Sequence, residues 1–142
     1  MVQLTQGFID ALHRLEESGN VDVISSLFTD DAELSNPLVV HGAAEKRGPK
    51  AFWQTYIGAF QDVESEFINV LETQGVAVLE WRSDGVIDGK TVHYGGVSVI
   101  ESADGKITAF RAYFDPRKSV ARANGRDGGE DRTPSDVPTQ SD

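Results

Sequence analysis

The sequence contains no cysteine, and this absence excludes several kinds of site. A chain without thiols has no disulfide framework, no thiolate zinc site and no cysteine nucleophile. Histidine is scarce as well, because the only three residues, His13, His41 and His93, lie far apart and lack the spacing of metal ligands. We therefore predict that the protein uses neither a metal ion nor another cofactor.

Long apolar runs and positive charge are also missing. No run approaches the roughly 20 apolar residues that a membrane-spanning helix needs, and residues 1–6 lack the pattern of a signal peptide. The net charge of −10 would repel the phosphates of a nucleic acid. These features predict a cytoplasmic protein with neither a membrane nor a nucleic acid as its partner.

The composition changes near residue 117. Residues 117–142 contain no aromatic side chain and are rich in Gly, Asp, Arg, Ser, Thr and Pro. Such a segment buries too little apolar surface to offset the entropy lost on ordering. Its basic and acidic residues balance, so residues 1–116 carry the whole negative charge. We predict one folded domain over residues 1–116 and a disordered polar tail over residues 117–142.

The first half of the domain has helical periodicity. An apolar stripe with steps of three and four residues predicts a first helix that ends near Gly19. The stripe comprises Leu4, Phe8, Ile9, Leu12 and Leu15. A short asparagine-capped helix within residues 20–28 and a brief strand over residues 32–36 should follow. After an irregular loop at residues 38–47, a Gly-Pro pair opens a third helix over residues 49–61.

From residue 63 onward the apolar period changes to two. Four strands are predicted, at residues 63–73, 76–87, 91–101 and 107–115. The turns between them are Gln74-Gly75, Asp88-Gly89 and Asp104-Gly105, and Asp-Gly is typical of tight hairpins. Helices followed by a meander indicate an α+β fold with helices on one face of a sheet. Apolar residues on both faces of the sheet favour a homodimer through the outer face.

The strand at residues 76–87 has two different faces. Glu80, Arg82 and Asp84 share one face, and a more apolar set that includes Trp81 and Ser83 shares the other. Alternation does not say which face meets the helices. Arg82 lies between two carboxylates, so the charged group is either a structural ion pair, a solvated strand end or a functional site.

Two short motifs and the last strand carry a family resemblance. The last strand reads Gly105-Lys106-Ile107-Thr108-Ala109-Phe110-Arg111-Ala112-Tyr113-Phe114-Asp115. With the strand that ends in Asn36-Pro37 and the helix that starts at Gly48-Pro49, it resembles the nuclear transport factor 2-like superfamily over residues 4–116. The SnoaL-like polyketide cyclases and limonene-1,2-epoxide hydrolases are the most similar branch. The resemblance implies a cone-shaped fold, with three N-terminal helices packed on a curved antiparallel sheet around an apolar pocket.

The resemblance also implies site residues. Arg82 and Asp84 match an Arg-Asp pair in which the aspartate is the acid toward the epoxide oxygen and the arginine holds it. Asn36 matches an asparagine that positions water, although alone it reads as a turn residue. The water-activating base falls at Ala112, which takes no proton, so Glu80 becomes the candidate base.

The same resemblance orients the sheet and its pocket. Glu80, Arg82 and Asp84 would face the pocket, whereas Trp81 and His93 would face the dimer partner. The implied substrate-binding wall comprises Phe8, Leu12, Leu34, Tyr56, Phe60, Tyr94, Phe110, Ala112 and Phe114. Ketosteroid isomerase, a relative, has a general base, a tyrosine and a protonated aspartate at the positions of Asn36, Phe8 and Ser98. None of these three residues carries the required group, so ketosteroid isomerase activity is not expected.

Three hypotheses about function remain open. The first, which the resemblance favours, is an enzyme that acts on a small hydrophobic, polyketide- or terpenoid-like substrate. It would work by cyclisation or epoxide opening, with Asp84 as the acid held by Arg82. The second is a non-catalytic small-molecule-binding protein with an inherited Arg-Asp pair. The third is a dimeric interaction module that uses the outer face of the sheet.

Overall fold

The computed structural model describes residues 2–37 and 48–115. In chain order the elements are α1 (Val2–Ser18), α2 (Asp22–Ser25), β1 (Phe28–Ser35), α3 (Pro49–Gly58), β2 (Asp62–Thr73), β3 (Val76–Ile87), β4 (Lys90–Ala103) and β5 (Lys106–Phe114). The order of helices and then a meander is the predicted one. The loop predicted at residues 38–47 and the tail predicted at residues 117–142 lie outside the described residues, so both stay predictions.

The first helix ends where it was predicted to end, and the second helix ends earlier. Helix α1 ends as expected, where Gly19 has a φ of +77° and its N–H donates to the Leu15 carbonyl at 2.8 Å. Helix α2 is shorter than predicted and stops at Ser25. The Leu27 carbonyl accepts a hydrogen bond from the Ile107 N–H at 2.9 Å. The chain has therefore joined the sheet by residue 27, and β1 starts at Phe28 instead of residue 32.

Helix α3 begins at Pro49 as predicted, directly after Gly48 with a φ of +89°. It ends at Gly58 instead of residue 61. The Gln61 N–H donates to the Val86 carbonyl at 2.7 Å. This sheet-like bond competes with a further helical turn and explains the earlier end of the helix.

The sheet has five strands in the order β1-β5-β4-β3-β2. Strands β2 to β5 form the predicted antiparallel meander. Strand β1, which the pattern did not pair with a partner, runs parallel to β5, so the sheet as a whole is mixed. Because a long stretch of chain separates β1 from β5, no tight hairpin forces these two strands to be antiparallel.

The β3–β4 turn fixes which residues of these strands face each other. Asp88 and Gly89 have φ values of +51° and +77°, as a two-residue hairpin turn requires. Ile87 therefore pairs with Lys90, and the same register places Ser83 opposite Tyr94. Residues that lie directly opposite share a face of the sheet.

The β2–β3 pair contains a bulge. Asn69 pairs with Glu80 and Phe67 pairs with Trp81, so Ile68 is an extra residue on β2. Before the bulge, this shift places Ser65 opposite Ser83. A regular hairpin would have placed Glu66 there, so the bulge substitutes a small hydroxyl for a carboxylate.

Helices α1 and α3 cover the inner face of the sheet, and the core lies between them. Leu15, Ile24, Leu79, Ile100 and Ile107 are completely buried in this layer. Within residues 2–37 and 48–115, no helix is both long and apolar enough to cross a membrane. The layered arrangement leaves a space between α1, α3 and the inner face of the sheet, and the candidate site lies there.

Candidate functional site: an aromatic cavity with a hydroxyl chain

A cavity of about 270 Å³ lies between the helices and the inner face of the sheet. Its wall comprises Phe8, Leu12, Asn36, Phe52, Trp53, Thr55, Tyr56, Ala59, Phe60, Ser65, Phe67, Trp81, Ser83, Ile87, Asp88, Tyr94, Ser98, Phe110, Ala112 and Phe114. Of these, Thr55, Ala59 and Asp88 are exposed and mark the mouth. Most of the wall is apolar, as in typical small-molecule sites.

Aromatic rings from three strands form the sheet side of the cavity. The centroid of Tyr94 lies 5.5 Å from that of Trp81 and 5.3 Å from that of Phe114. The indole of Trp81 fits because Gly96 lies opposite it on β4. A Cβ at Gly96 would lie 2.8 Å from Trp81 Cζ2 and would also clash with the Tyr113 carbonyl oxygen. Glycine therefore allows the indole to lie across β4, where its Nε1 donates to Ser98 Oγ at 2.9 Å.

Rings from the helices form the opposite side. Phe110 on β5 contacts Phe8 of α1 and Trp53 of α3, with centroid distances of 5.5 Å and 5.2 Å. Phe52 lies 4.9 Å from Trp53 in an edge-to-face arrangement. Such rigid packed rings give the cavity a fixed shape and flat walls.

Three hydroxyl residues cross the inner face of the sheet in one row, which we call the hydroxyl chain: Ser65, Ser83 and Tyr94. Ser65 and Ser83 are partners across β2 and β3, and Ser83 and Tyr94 are partners across β3 and β4. Ser65 Oγ lies 2.7 Å from Ser83 Oγ, and the Tyr94 hydroxyl is hydrogen-bonded to Ser83. All three residues line the cavity.

Glu16, near the end of α1, holds the far end of this chain. Its Oε2 accepts from Ser65 Oγ at 2.6 Å and from the Tyr56 hydroxyl at 2.8 Å. Its Oε1 accepts from the Ser65 N–H at 2.9 Å. His13, one helical turn earlier, donates from Nε2 to the Ser65 carbonyl oxygen at 3.0 Å. Helix α1 thus satisfies both outward backbone groups of Ser65 on the edge strand β2.

The two tyrosines of the wall are held in their neutral form. Burial raises the pKa of Tyr94, and the negative charge of Glu16 raises it further. Burial, and then the charge of Glu16, also raise the pKa of Tyr56 well above its ordinary value. Both residues therefore present protonated hydroxyls to the cavity at ordinary pH.

The structure brings eight of the nine predicted wall residues to the cavity: Phe8, Leu12, Tyr56, Phe60, Tyr94, Phe110, Ala112 and Phe114. Leu34 does not line it, because its side chain packs into the core instead. Asn36, predicted to position water, also lies in the wall. Contact of these residues with a substrate stays a prediction.

The predicted orientation of β3 is wrong. Glu80, Arg82 and Asp84 are exposed on the outer face and do not line the cavity. Glu80 Oε1 instead accepts a hydrogen bond from Asn69 Nδ2 at 2.6 Å, and Asp84 Oδ1 lies 2.5 Å from His93 Nδ1. The physical reason is the cost of burial, since three ionisable groups remain hydrated outside while an apolar set packs under the helices.

The inner face of β3 carries the other set of residues. Trp81, expected to face a dimer partner, is 8% exposed and lines the cavity, and Ser83 is 3% exposed. His93 faces outward as expected, and Tyr113 is also exposed. Sequence reasoning missed Glu16, Ser65 and Ser83. The position of Ser83 could have been predicted from the Asp88-Gly89 turn. A two-residue hairpin there places Ser83 opposite Tyr94, on the same face of the sheet.

Ionisable groups are rare in the described wall. Among residues 2–37 and 48–115, Asp88 at the mouth is the one carboxylate that lines the cavity. In the same part of the chain, no three His, Cys, Asp or Glu side chains lie close enough together to hold a metal ion. The chemistry that the described wall offers is therefore hydrogen bonding by neutral hydroxyls, with Glu16 behind them.

Comparisons with known proteins identify the family. Residues 6–110 match the model of the SnoaL-like domain. No curated protein sequence matches the chain. Because the family model spans most of the chain, the match does not depend on a single motif.

Solved structures with the same fold are distant in sequence. TerC, co-crystallised with polyporic acid, has a TM-score of 0.72 at 15% identity, covering 87% of this chain and 98% of TerC. The proposed polyketide cyclase IdmH from Streptomyces antibioticus has a TM-score of 0.67 at 17% identity, covering 86% and 99%. An LEH-like epoxide hydrolase from M. tuberculosis has a TM-score of 0.62 at 19% identity, covering 82% and 86%. Such identities establish the fold alone.

Proposed function

The chain belongs to the SnoaL-like domain family, and on this premise we propose that it binds a small, mainly apolar organic molecule in its cavity. One observation carries the proposal, namely a preformed cavity with aromatic walls on which a few hydroxyls converge. Sites for small molecules have this composition, in which apolar area provides affinity and a few polar groups provide orientation.

The dimensions and shape of the cavity narrow the ligand class. A volume of about 270 Å³ suits a molecule of bicyclic size. The rings of Trp81, Tyr94 and Phe114 offer flat surfaces on which a planar or cyclic ligand can stack. A polyketide- or terpenoid-like ring system has these properties. Two structural neighbours support this class by analogy, namely IdmH, a proposed polyketide cyclase, and TerC, which was co-crystallised with polyporic acid.

Enzymatic cyclisation is a second candidate function, and the Glu16 network favours it. A hydroxyl chain that ends at a carboxylate gives a proton from a substrate hydroxyl a route out of the cavity. Such a substrate would supply its own nucleophile. Epoxide hydrolysis has less support, because Ala112 lies in the wall at the base position and Asp84 is exposed on the outer face.

A homodimer through the outer sheet face remains part of the proposal. Tyr113 is 56% exposed there, and Val76 is 37% exposed. Covering these side chains would remove apolar surface from water. The ionisable residues Glu80, Arg82 and Asp84 would then belong to the polar part of that interface.

The binding proposal is tested by filling the cavity. Calorimetric titration with 1-tetralone, a small bicyclic ketone, would compare the wild type with Ala112→Phe and Asp84→Ala. We expect Ala112→Phe to weaken binding by about tenfold or more, equal to about 1.4 kcal/mol. Asp84→Ala, on the same sheet but on the outer face, should bind like the wild type. Equal affinity in all three proteins would contradict binding in this cavity.

A further inference from the structure

The hydrogen bonds of the hydroxyl chain have a direction that the distances alone do not show. The Glu16 carboxylate only accepts, so the Ser65 hydroxyl must donate its single proton to Oε2 at 2.6 Å. Ser65 Oγ then has no proton left for Ser83, which must donate to it across 2.7 Å. The Ser83 proton is also used, so Tyr94 donates to Ser83.

The direction determines what the cavity offers a ligand. Every proton of the chain points away from Tyr94 and toward Glu16. The Tyr94 oxygen therefore keeps lone pairs and has no free proton, although a neutral tyrosine ordinarily donates. Because burial holds Tyr94 neutral, this oxygen is a neutral acceptor rather than an anion. Chained hydroxyls also polarise one another, which strengthens the acceptor at the end of the chain.

We propose that the cavity selects ligands that donate a hydrogen bond to the Tyr94 oxygen, such as a phenol, an enol or an alcohol, and that Glu16 sets this preference through Ser65 and Ser83. The proposal rests on the proposed binding function and deepens it by naming the ligand's polar group. Glu16 is a positioning residue in this scheme, since it does not line the cavity and acts through two serines.

The location of Glu16 suits this role. It lines a groove on the other side of α1 and β2, together with His13, Arg82 and Asp84. Ser65 lines both the groove and the cavity. Glu16 therefore sets the direction of the chain from outside the cavity, and it occupies none of the space that the ligand needs.

Glu16→Gln is an informative substitution because it replaces the acceptor Oε2 by a donor and keeps the shape of the side chain. Tyr56, which donates to the same oxygen, loses that acceptor as well. The glutamine oxygen can still accept from the Ser65 N–H, which preserves the contact between α1 and β2. Its amide nitrogen would take the position of Oε2 and donate to Ser65 Oγ. Ser65 would then donate to Ser83, Ser83 to Tyr94, and Tyr94 to the ligand. The preference should change from ligands that donate to ligands that accept.

The test compares two ligands that differ only in this property. 1-Tetralol has a hydroxyl that donates, and 1-tetralone has a carbonyl that only accepts, on nearly the same bicyclic ring system. For the wild type we expect the alcohol to bind about fivefold more tightly than the ketone, as one net hydrogen bond of about 1 kcal/mol gives. In Glu16→Gln this affinity ratio should fall to about one or invert.

Two further variants and a control separate this role from a structural one. Ser83→Ala breaks the chain and Tyr94→Phe removes its last oxygen, so both should bring the ratio to about one. Glu80→Gln, the same substitution on the exposed outer face, should keep the wild-type ratio. If Glu16→Gln proves unstable, the ratios in Ser83→Ala and Tyr94→Phe decide in its place.

Each outcome has a defined meaning. A wild-type preference for the alcohol that disappears in Glu16→Gln and Ser83→Ala supports the proposal. Equal binding of both ligands to the wild type, or an unchanged ratio in Glu16→Gln, overturns it and leaves the binding function intact when Ala112→Phe still weakens both ligands. Failure of the wild type to bind either ligand overturns this proposal together with the proposed function.

Discussion

The two faces of β3 differ in chemistry although their residues alternate along one strand. The inner face carries Trp81 and Ser83, both buried against the cavity. The outer face carries Glu80, Arg82 and Asp84, all exposed. Charged residues drew attention in the sequence because ionisable groups often perform catalysis. The structure instead places neutral hydroxyls on the inner face of the sheet and the Glu16 carboxylate behind them.

The number of charges on a strand is therefore a poor guide to which face is functional. Charges outside cost little, because water solvates them and exposed pairs such as Asp84–His93 add little stability. Hydroxyls inside can line an apolar cavity because each finds a partner: Ser65 and Ser83 bond to each other, and Ser65 bonds to Glu16. The Glu16 carboxylate on α1 thereby orients the hydroxyls of the sheet strands, which contribute no charged side chain to the cavity wall.

Truncating one residue on each face of β3 should change the free energy of unfolding very differently. Trp81→Ala should lower the free energy of unfolding by about 3–5 kcal/mol, because it leaves a large hole beside Tyr94 and Phe114. Arg82→Ala, the next residue along the strand, should change it by about 0.5 kcal/mol or less. Urea denaturation of both variants measures the difference. Similar losses in the two variants would contradict the assignment of the faces.

A second comparison concerns turnover by the candidate cyclase. If the protein cyclises a hydroxy-epoxide, the hydroxyl proton passes along the chain to Glu16, the hydroxyl oxygen attacks a ring carbon and breaks its epoxide C–O bond, and the released oxygen takes a proton from water at the mouth. Glu16→Gln should then lower kcat by about 100-fold or more. Glu80→Gln on the outer face should retain the wild-type rate. Mass spectrometry cannot distinguish an isomeric cyclic ether from its substrate, so chromatographic separation or NMR would follow the product. A Glu16→Gln protein as active as the wild type would exclude proton transfer through this chain.

The smallest expected effect is a dependence of stability on alkaline pH. Because burial raises the pKa of Tyr94 and Tyr56 in the folded state, the folded protein keeps protons that the unfolded chain releases above about pH 10. Their contribution to stability is complete below that pH and is lost as the pH rises further. The free energy of unfolding should therefore fall more gently in Tyr94→Phe than in the wild type.

Urea denaturation at several pH values between about 8 and 11 would measure this dependence. Tyr113→Phe is the matched control, since Tyr113 lies on the exposed outer face. It should keep the alkaline loss of the wild type. A Tyr94→Phe protein that loses stability as steeply as the wild type would show that burial of Tyr94 does not favour its neutral form.

Most of the fold could be predicted from local signals. The apolar stripe of α1, the Gly-Pro start of α3 and the three Gly-containing turns all lie where the structure has them. Errors occurred where a nonlocal hydrogen bond replaced a local one, as at Leu27, which bonds to Ile107. The parallel pairing of β1 with β5 was missed for the same reason, because the two strands are far apart in the chain.

The site could be predicted only in part. Most of the aromatic wall followed from the family resemblance, but the Arg82–Asp84 pair was assigned to the wrong face. The register of the Asp88-Gly89 hairpin would have corrected this error, since Tyr94 faces the cavity and Ser83 is its partner. No comparable signal identified Glu16, because its helix reaches Ser65 only after the chain has folded back over 49 positions.

The helices, the meander and the alternation of two chemically different strand faces follow from the sequence alone, because periodicity and turn chemistry depend on neighbours in the chain. Tertiary structure decided which face of β3 lines the cavity, since helices cover the apolar set and leave the charged set in water. It also decided the bulge at Ile68, which places Ser65 opposite Ser83, and the contact of Glu16 with Ser65. That contact joins α1 to the edge strand of the sheet, and no pattern within either segment specifies how the two pack.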